Sequence, residues 1–197
     1  MSDIEASETA NEASEGISIE GQRALLSYAR KAIQEHLTRG ELTMSPPESD
    51  ELEEAHAVFV TLEMDGKLRG CMGQPDADGP LHEAAAQMAI AAATEDLQFS
   101  ALEISDLRYT EVEISILSPH RTIAPEEIEI GTHGLYIAAG PKRAIILPQV
   151  AYDQGWTVKR FLEELASRAG LKRRAWEDPK VSLRGFTAQI FRDTDLT

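Results

Sequence analysis

The segment that most constrains the fold is a hairpin signature carrying the chain's only cysteine. In residues 57–62 the apolar residues Val58, Val60 and Leu62 alternate with Phe59 and Thr61, and residues 67–72 form a second such segment. Between them lies Asp65-Gly66, a dipeptide that favours a tight turn between antiparallel strands. Cys71 lies in the hexapeptide L-R-G-C-M-G at 68–73. A chain with this signature must build an antiparallel sheet, and the hexapeptide must lie on one of its strands.

The length of the turn decides which way each side chain of the hexapeptide points. A two-residue loop would mix apolar side chains with Arg69 on one face, whereas a three-residue loop over 64–66 keeps the apolar ones together. We therefore predict the second register. Its pairs are Val58 with Met72, Val60 with Gly70 and Leu62 with Leu68. Leu68 and Met72 then enter the core, while Arg69 and Cys71 share the other face with Phe59 and Thr61.

The remaining pattern predicts an α+β fold, mostly antiparallel sheet with flanking helices. Helical spacing marks 18–39, 80–95 and 157–170, and Gly40 and Gly170 suit left-handed caps. Alternation predicts a strand at 109–117 buried on one side, a hairpin at 134–137 and 143–147, and a last strand at 183–191. Residues 41–54 are expected to form a loop, and 125–128 a short helical turn.

Composition limits the classes of protein that this chain can belong to. At 197 residues and 42% hydrophobic it supports one well-packed domain. We expect a disordered acidic tail at 1–16, a single domain at 17–192 and a short C-terminal tail at 193–197. The formal charge of -15 argues against a nucleic-acid binder. One cysteine, no leader pattern and no long apolar run predict a cytoplasmic protein without a membrane span.

Cys71 is the first candidate for chemistry. A neighbouring guanidinium, Arg69, would favour the thiolate, the form that acts as a nucleophile. His133, between glycines in G-T-H-G, is a candidate base, and we take these three as candidate catalytic residues. The alternatives are that Cys71 is a small buried hydrophobe and His133 a surface turn residue. The histidine and cysteine spacings predict no metal site, and no nucleotide-binding motif or serine elbow occurs.

A basic run, Lys172-Arg173-Arg174, is the local exception to the acidic composition. It could contact an acidic partner or RNA. The interpretation we favour is a solvated turn that balances an acidic chain.

Several separated motifs, taken in order, carry a family resemblance. They are L-R-G-C-M-G at 68–73, I-S-I-L-S-P at 114–119, G-T-H-G-L at 131–135, L-P-Q-V-A at 147–151, Trp156, F-L at 161–162 and A-G-L at 169–171. Together they resemble the AMMECR domain family, called AmmeMemoRadiSam system protein A in prokaryotes. The resemblance covers about residues 18–191. Where the family tends to have D-x-R-F-x-P, this chain has D-L-Q-F-S-A at 96–101, Met72 replaces an isoleucine, and Ala144 stands where glycine is common.

The resemblance implies a larger and a smaller lobe, with a groove in which the hexapeptide functions. Leu68, Gly70, Met72 and Gly73 would then contact a small molecule or a peptide. It also implies a pathway shared with a Memo-type protein and a radical SAM enzyme, but it supplies no reaction, no cofactor and no oligomeric state. Two hypotheses follow: an enzyme or enzyme component that uses Cys71, and a non-catalytic binding or adaptor module whose groove holds a protein or peptide.

Overall fold

A computed structural model of the chain describes residues 16–43 and 45–195. Its helices are α1 (Ile19–Arg39), α2 (Asp50–Glu53), α3 (Leu81–Thr94), α4 (Pro148–Asp153) and α5 (Val158–Arg168). Its strands are β1 (Ala57–Met64), β2 (Lys67–Gln74), β3 (Thr110–Leu117), β4 (Arg121–Thr122), β5 (Gly134–Ala139), β6 (Lys142–Ile146), β7 (Ser182–Phe186) and β8 (Ala188–Arg192). The strands pair antiparallel throughout, which confirms the α+β prediction. The acidic tail predicted at 1–16 lies, but for Gly16, outside the described residues.

The limits of α1 follow from local chemistry that the sequence shows. Ser18 is the N-cap, and its hydroxyl oxygen accepts a hydrogen bond from the Gly21 N–H at 3.0 Å. At the other end Gly40 has φ of 77°, the left-handed conformation that ends a helix with little strain in glycine. The predicted helix at 18–39 is therefore confirmed.

The first lobe is a four-stranded sheet in the order β2-β1-β3-β8, with α1 and α3 on its inner face. Alternate residues of β1 and β3, such as Val60 and Ile114, are completely buried in the core between sheet and helices. Small side chains on α3, among them Ala85 and Ala89, let this helix lie close to the sheet. β2, the strand of the hexapeptide, lies at one edge of this sheet.

The second lobe is a separate four-stranded sheet in the order β4-β7-β5-β6, covered by α5. Phe161 and Leu165 of α5 are completely buried against strand residues such as Leu135 and Ile137. Thr157 caps α5 by accepting the N–H of Arg160 at 3.3 Å. A smaller apolar cluster joins the lobes. Its buried members are Ala57, Leu117, Leu147 and Phe186.

The structure corrects several predictions made from the sequence. The strand predicted at 183–191 is two strands, β7 in the second sheet and β8 in the first. Thr187 separates them: its carbonyl accepts the Ser118 N–H, and its own N–H is donated to the Ser118 hydroxyl. The loop predicted at 41–54 contains α2, while β4 and α4 were not predicted.

Candidate functional site

The hairpin that carries the hexapeptide adopts neither register considered from the sequence. Next to the turn Met64 pairs with Lys67 and Glu63 with Leu68, as expected for a two-residue loop at Asp65-Gly66. The ladder then shifts by one residue, so that Leu62 pairs with Gly70. Arg69 is the extra residue of this β-bulge, which is a local device that sequence alternation does not reveal.

The bulge determines where each side chain of the hexapeptide lies. Cys71 pairs with Thr61, so the prediction that these two share the outward face is confirmed. Met72 packs against the first core, as predicted, but its partner across the ladder is Val60 rather than Val58. The prediction for Leu68 is wrong: it pairs with Glu63 on the outward face and is 46% exposed.

Four polar side chains form a row straight across the outward face of the first sheet, one on each strand. The paired positions are Cys71 with Thr61, Thr61 with Glu113, and Glu113 with Arg192. The Thr61 hydroxyl donates to the Cys71 Sγ at 3.3 Å, and the Arg192 Nε donates to Glu113 Oε2 at 2.7 Å. We call these four residues the polar row.

The second lobe covers the polar row through Gln149 of α4. Its Nε2 donates to Glu113 Oε1 at 2.9 Å and to the Ser115 hydroxyl at 3.0 Å, so one side chain ties the two lobes together. The Glu113 side chain is only 4% exposed as a result. Sequence alternation had placed Glu113 on an uncovered face, because the covering helix is distant in the chain.

The environment of Cys71 keeps its thiol protonated. Burial is the largest cause that raises the pKa of Cys71, and the negative charges of Asp96 and Glu113 raise it further. The hydrogen bond from Thr61 and the positive charge of Arg168, at the end of α5, act in the opposite direction. The resulting pKa lies above the ordinary value for a cysteine, so at neutral pH the group is a thiol rather than a reactive thiolate.

Asp96 holds the backbone of the hexapeptide at the sheet edge. Its Oδ2 accepts the Cys71 N–H at 2.9 Å, and its Oδ1 accepts the Gln98 N–H at 2.9 Å. The first bond gives the Cys71 N–H, on the edge strand β2, a hydrogen-bond acceptor outside the sheet. The chain therefore uses its own loop after α3 to close this part of the edge.

The other two candidate catalytic residues make their contacts with other groups. Arg69 donates to the Ala101 carbonyl at 3.3 Å and lies over the Phe99 ring, 6.0 Å from its centroid. His133 is 9% exposed, and its Nδ1 accepts the Glu129 N–H at 3.0 Å within its own turn. Neither is among the groups that shift the pKa of Cys71. A catalytic role for these three residues stays a prediction.

The two glycines of the hexapeptide are in close contact with other segments of the same chain. A Cβ built at Gly70 would lie 2.0 Å from the Ala92 carbonyl oxygen of α3, and one at Gly73 would lie 2.1 Å from the Phe59 ring. Glycine is needed at both positions because the neighbouring atoms already occupy the space of a side chain. The space beside these two glycines is thus occupied by α3 and β1 of the chain itself.

Within residues 16–43 and 45–195, no group of three or more His, Cys, Asp or Glu side chains could hold a metal ion. No helix among the described residues has the length and apolar character needed to cross a membrane.

The fold and the polar row define a class of two-lobed α+β proteins with a cysteine-bearing hairpin at the boundary between lobes. Comparison with known proteins identifies the family within that class. The AMMECR1 family model matches residues 26–191, and the chain belongs to this family.

Known relatives are similar over nearly their full length. A protein of Methanothermobacter thermautotrophicus is 38% identical over 180 residues, covering 87% of this chain and 93% of that protein. Protein MK0488 of Methanopyrus kandleri is 35% identical over 191 residues, covering 92% of each. The crystal structure of the uncharacterized protein PH0010 from Pyrococcus horikoshii matches with a TM-score of 0.85 at 35% identity, covering 89% of this chain and 93% of that one.

Proposed function

We propose that this chain is a binding component of a pathway that also uses a Memo-type protein and a radical SAM enzyme, acting in the cytoplasm. In this proposal a partner, or a small molecule that a partner delivers, is received beside Leu68 and the polar row. The family resemblance supports the partnership. The position of the row supports the site, because ligand sites in proteins favour boundaries between domains.

The observation that carries the proposal is the state of the Cys71 thiol. It accepts a hydrogen bond from Thr61 and has a raised pKa, while Arg69 and His133 are bound to other groups. A nucleophilic cysteine needs a lowered pKa or an adjacent base. These features favour recognition over covalent chemistry.

The test measures the affinity of the purified chain for the Memo-type protein and the radical SAM enzyme of the same organism. Leu68→Ser should weaken binding about tenfold, since it removes an exposed apolar contact at the proposed interface. Cys71→Ser should leave the affinity unchanged. Leu42→Ser is the matched control, because Leu42 is a 38% exposed leucine in the loop after α1.

Two results would contradict this proposal. One is an absence of binding to either partner by the wild-type chain. The other is an equal loss of affinity in Leu68→Ser and Leu42→Ser, which would show that the effect has no relation to the hexapeptide.

A second candidate function is an enzyme or enzyme component in which Cys71 receives a group passed on by the radical SAM partner. The observation in its favour is the positive charge of Arg168, which lowers the pKa of Cys71 against the effect of burial. If this charge activates the thiol, Arg168→Gln should slow alkylation of Cys71 and abolish turnover. Full partner-dependent activity in Cys71→Ser would rule out this candidate.

A further inference from the structure

The second lobe carries a groove on the side formed by α5 and the turn that follows it. Its volume is about 530 Å³, within the usual range for small-molecule sites. It is lined by one tryptophan, three smaller apolar residues, three cations and two carboxylates. Part of the basic run singled out in the sequence therefore lies in this groove. The lining shares no residue with the polar row.

The floor of the groove is apolar and includes an indole ring. Trp176 and Val158 are half-buried and pack against the second core, of which Leu162 is a buried member. Pro125 completes the apolar part of the lining. An indole that packs on the core with one side and lines a groove with the other offers a flat, rigid surface on which an aromatic ring can stack.

Two of the three cations that line the groove form salt bridges there, and the third does not. Arg173 donates to Glu163 Oε2 at 2.8 Å, and Arg174 pairs with Glu177. Among the described residues, Lys159 makes no salt bridge, and its charge is one of the smaller causes that lower the pKa of Glu163. The lining thus has three cations against two carboxylates, a net charge of +1 on a chain whose formal charge is -15.

The Arg173–Glu163 pair fixes the charges of the groove. The Glu163 side chain is 9% exposed, and the hydrogen bond from Arg173 is the largest cause that lowers the pKa of Glu163. Glu163 therefore remains a carboxylate and holds Arg173 in place across neutral pH. Lys159, in the first turn of α5, is left to meet a ligand, next to a helix end that itself favours negative charge.

We propose that this groove binds a small aromatic carboxylate. The ring stacks on Trp176 and the carboxylate pairs with Lys159. This site is separate from the polar row, so the proposal does not depend on the function proposed above.

The test uses naphthoate as the probe, with naphthalene methanol as its uncharged counterpart. Two tryptophan indole N–H resonances are followed by NMR during titration of the full chain, and Trp176→Phe assigns them. Naphthoate should shift the Trp176 resonance and leave that of Trp156 in place, because Trp156 packs instead beside Phe161, with 6.3 Å between ring centroids. Naphthalene methanol should bind about threefold more weakly, as expected for the loss of one exposed ion pair.

Lys159→Gln supplies the decisive variant, and Arg160→Gln the matched control. Arg160 is the next residue on α5 and carries the same charge, which acts on Glu163 as that of Lys159 does. Its side chain pairs with Glu164, and neither residue lines the groove. Lys159→Gln should weaken naphthoate about threefold and leave the alcohol unchanged, while Arg160→Gln should alter neither. The proposal is overturned if naphthoate does not shift the Trp176 resonance, if both indoles shift alike, or if the two variants have equal effects.

Discussion

Replacing Glu113 by glutamine tests the polar row most stringently, because Glu113 bonds both to Arg192 of the row and to Gln149 of the second lobe. The side chain is 4% exposed and accepts from Arg192 at 2.7 Å and from Gln149 at 2.9 Å. Glutamine keeps the shape of the side chain but removes its negative charge. Its NH₂ group would face either Arg192 or Gln149, and both of these already donate hydrogen bonds to this position. The variant should therefore lose stability and loosen the contact between the lobes.

The size of the loss can be estimated from these contacts. A hydrogen bond to a charged group contributes about 1.5–3 kcal/mol. The Arg192 side chain is 35% exposed and has Glu63 and Glu111 within 3.9 and 4.0 Å, which reduces the loss. We expect about 2 kcal/mol in the free energy of unfolding, or a Tm lower by about 4–8 °C.

Chemical denaturation followed by circular dichroism measures this loss, and Glu111→Gln is the control. Glu111 lies two residues away on the same face, but it is 25% exposed and 4.0 Å from Arg192. Glutamine keeps the oxygen that accepts from the Thr194 hydroxyl, so the replacement should change stability by less than about 0.5 kcal/mol. Removing the Glu113 charge should also lower the pKa of Cys71 and speed its alkylation. Wild-type stability in Glu113→Gln, or an equal loss in both variants, would refute the account of the row.

Three further predictions concern the hexapeptide. Gly70→Ala should cost about 1–3 kcal/mol of unfolding free energy, because its Cβ would lie 2.0 Å from a backbone oxygen of α3. An unchanged free energy of unfolding in chemical denaturation would contradict this expectation and show that α3 moves aside without cost. Met72→Ala should cost about 2 kcal/mol and Leu68→Ala less than about 0.5, and the reverse order would contradict the bulge at Arg69. Because the folded pKa of Cys71 is raised, the thiol contributes stability below the unfolded pKa of about 8.5, and this is lost as pH rises through the folded pKa. The free energies of unfolding of the wild type and of Cys71→Ala should therefore be compared across that pH range. The stability that the wild type has relative to Cys71→Ala should fall as pH rises, and a difference that stays constant with pH would contradict the raised pKa.

Local patterns of the sequence were enough to predict most elements of the fold. The capping of α1 by Ser18 and Gly40 depends on residues within one helical turn, and so does the capping of α5 by Thr157. The outward position of Cys71 follows from the two-residue period of a strand. Its observed partner, Thr61, lies two residues from the partner that the predicted register implies, and residues two apart on a strand share a face.

The rest depended on contacts that a local pattern does not contain. The bulge at Arg69 is a single extra residue, and it moved Leu68 from the expected core to the exposed face. The exchange of sheets at Thr187 depends on Ser118, far away in the sequence. Glu113 looked like a solvent-facing residue because Gln149, which covers it, comes from the other lobe.

The pH dependence of Cys71 alkylation in the folded wild-type chain tests the central claim most directly. The account predicts an apparent thiol pKa above the value of about 8.5 for free cysteine, with slow modification at neutral pH, since burial and the charges of Asp96 and Glu113 oppose ionisation. An apparent pKa below that value, with rapid modification at neutral pH, would contradict a recognition role and identify Cys71 as an activated nucleophile.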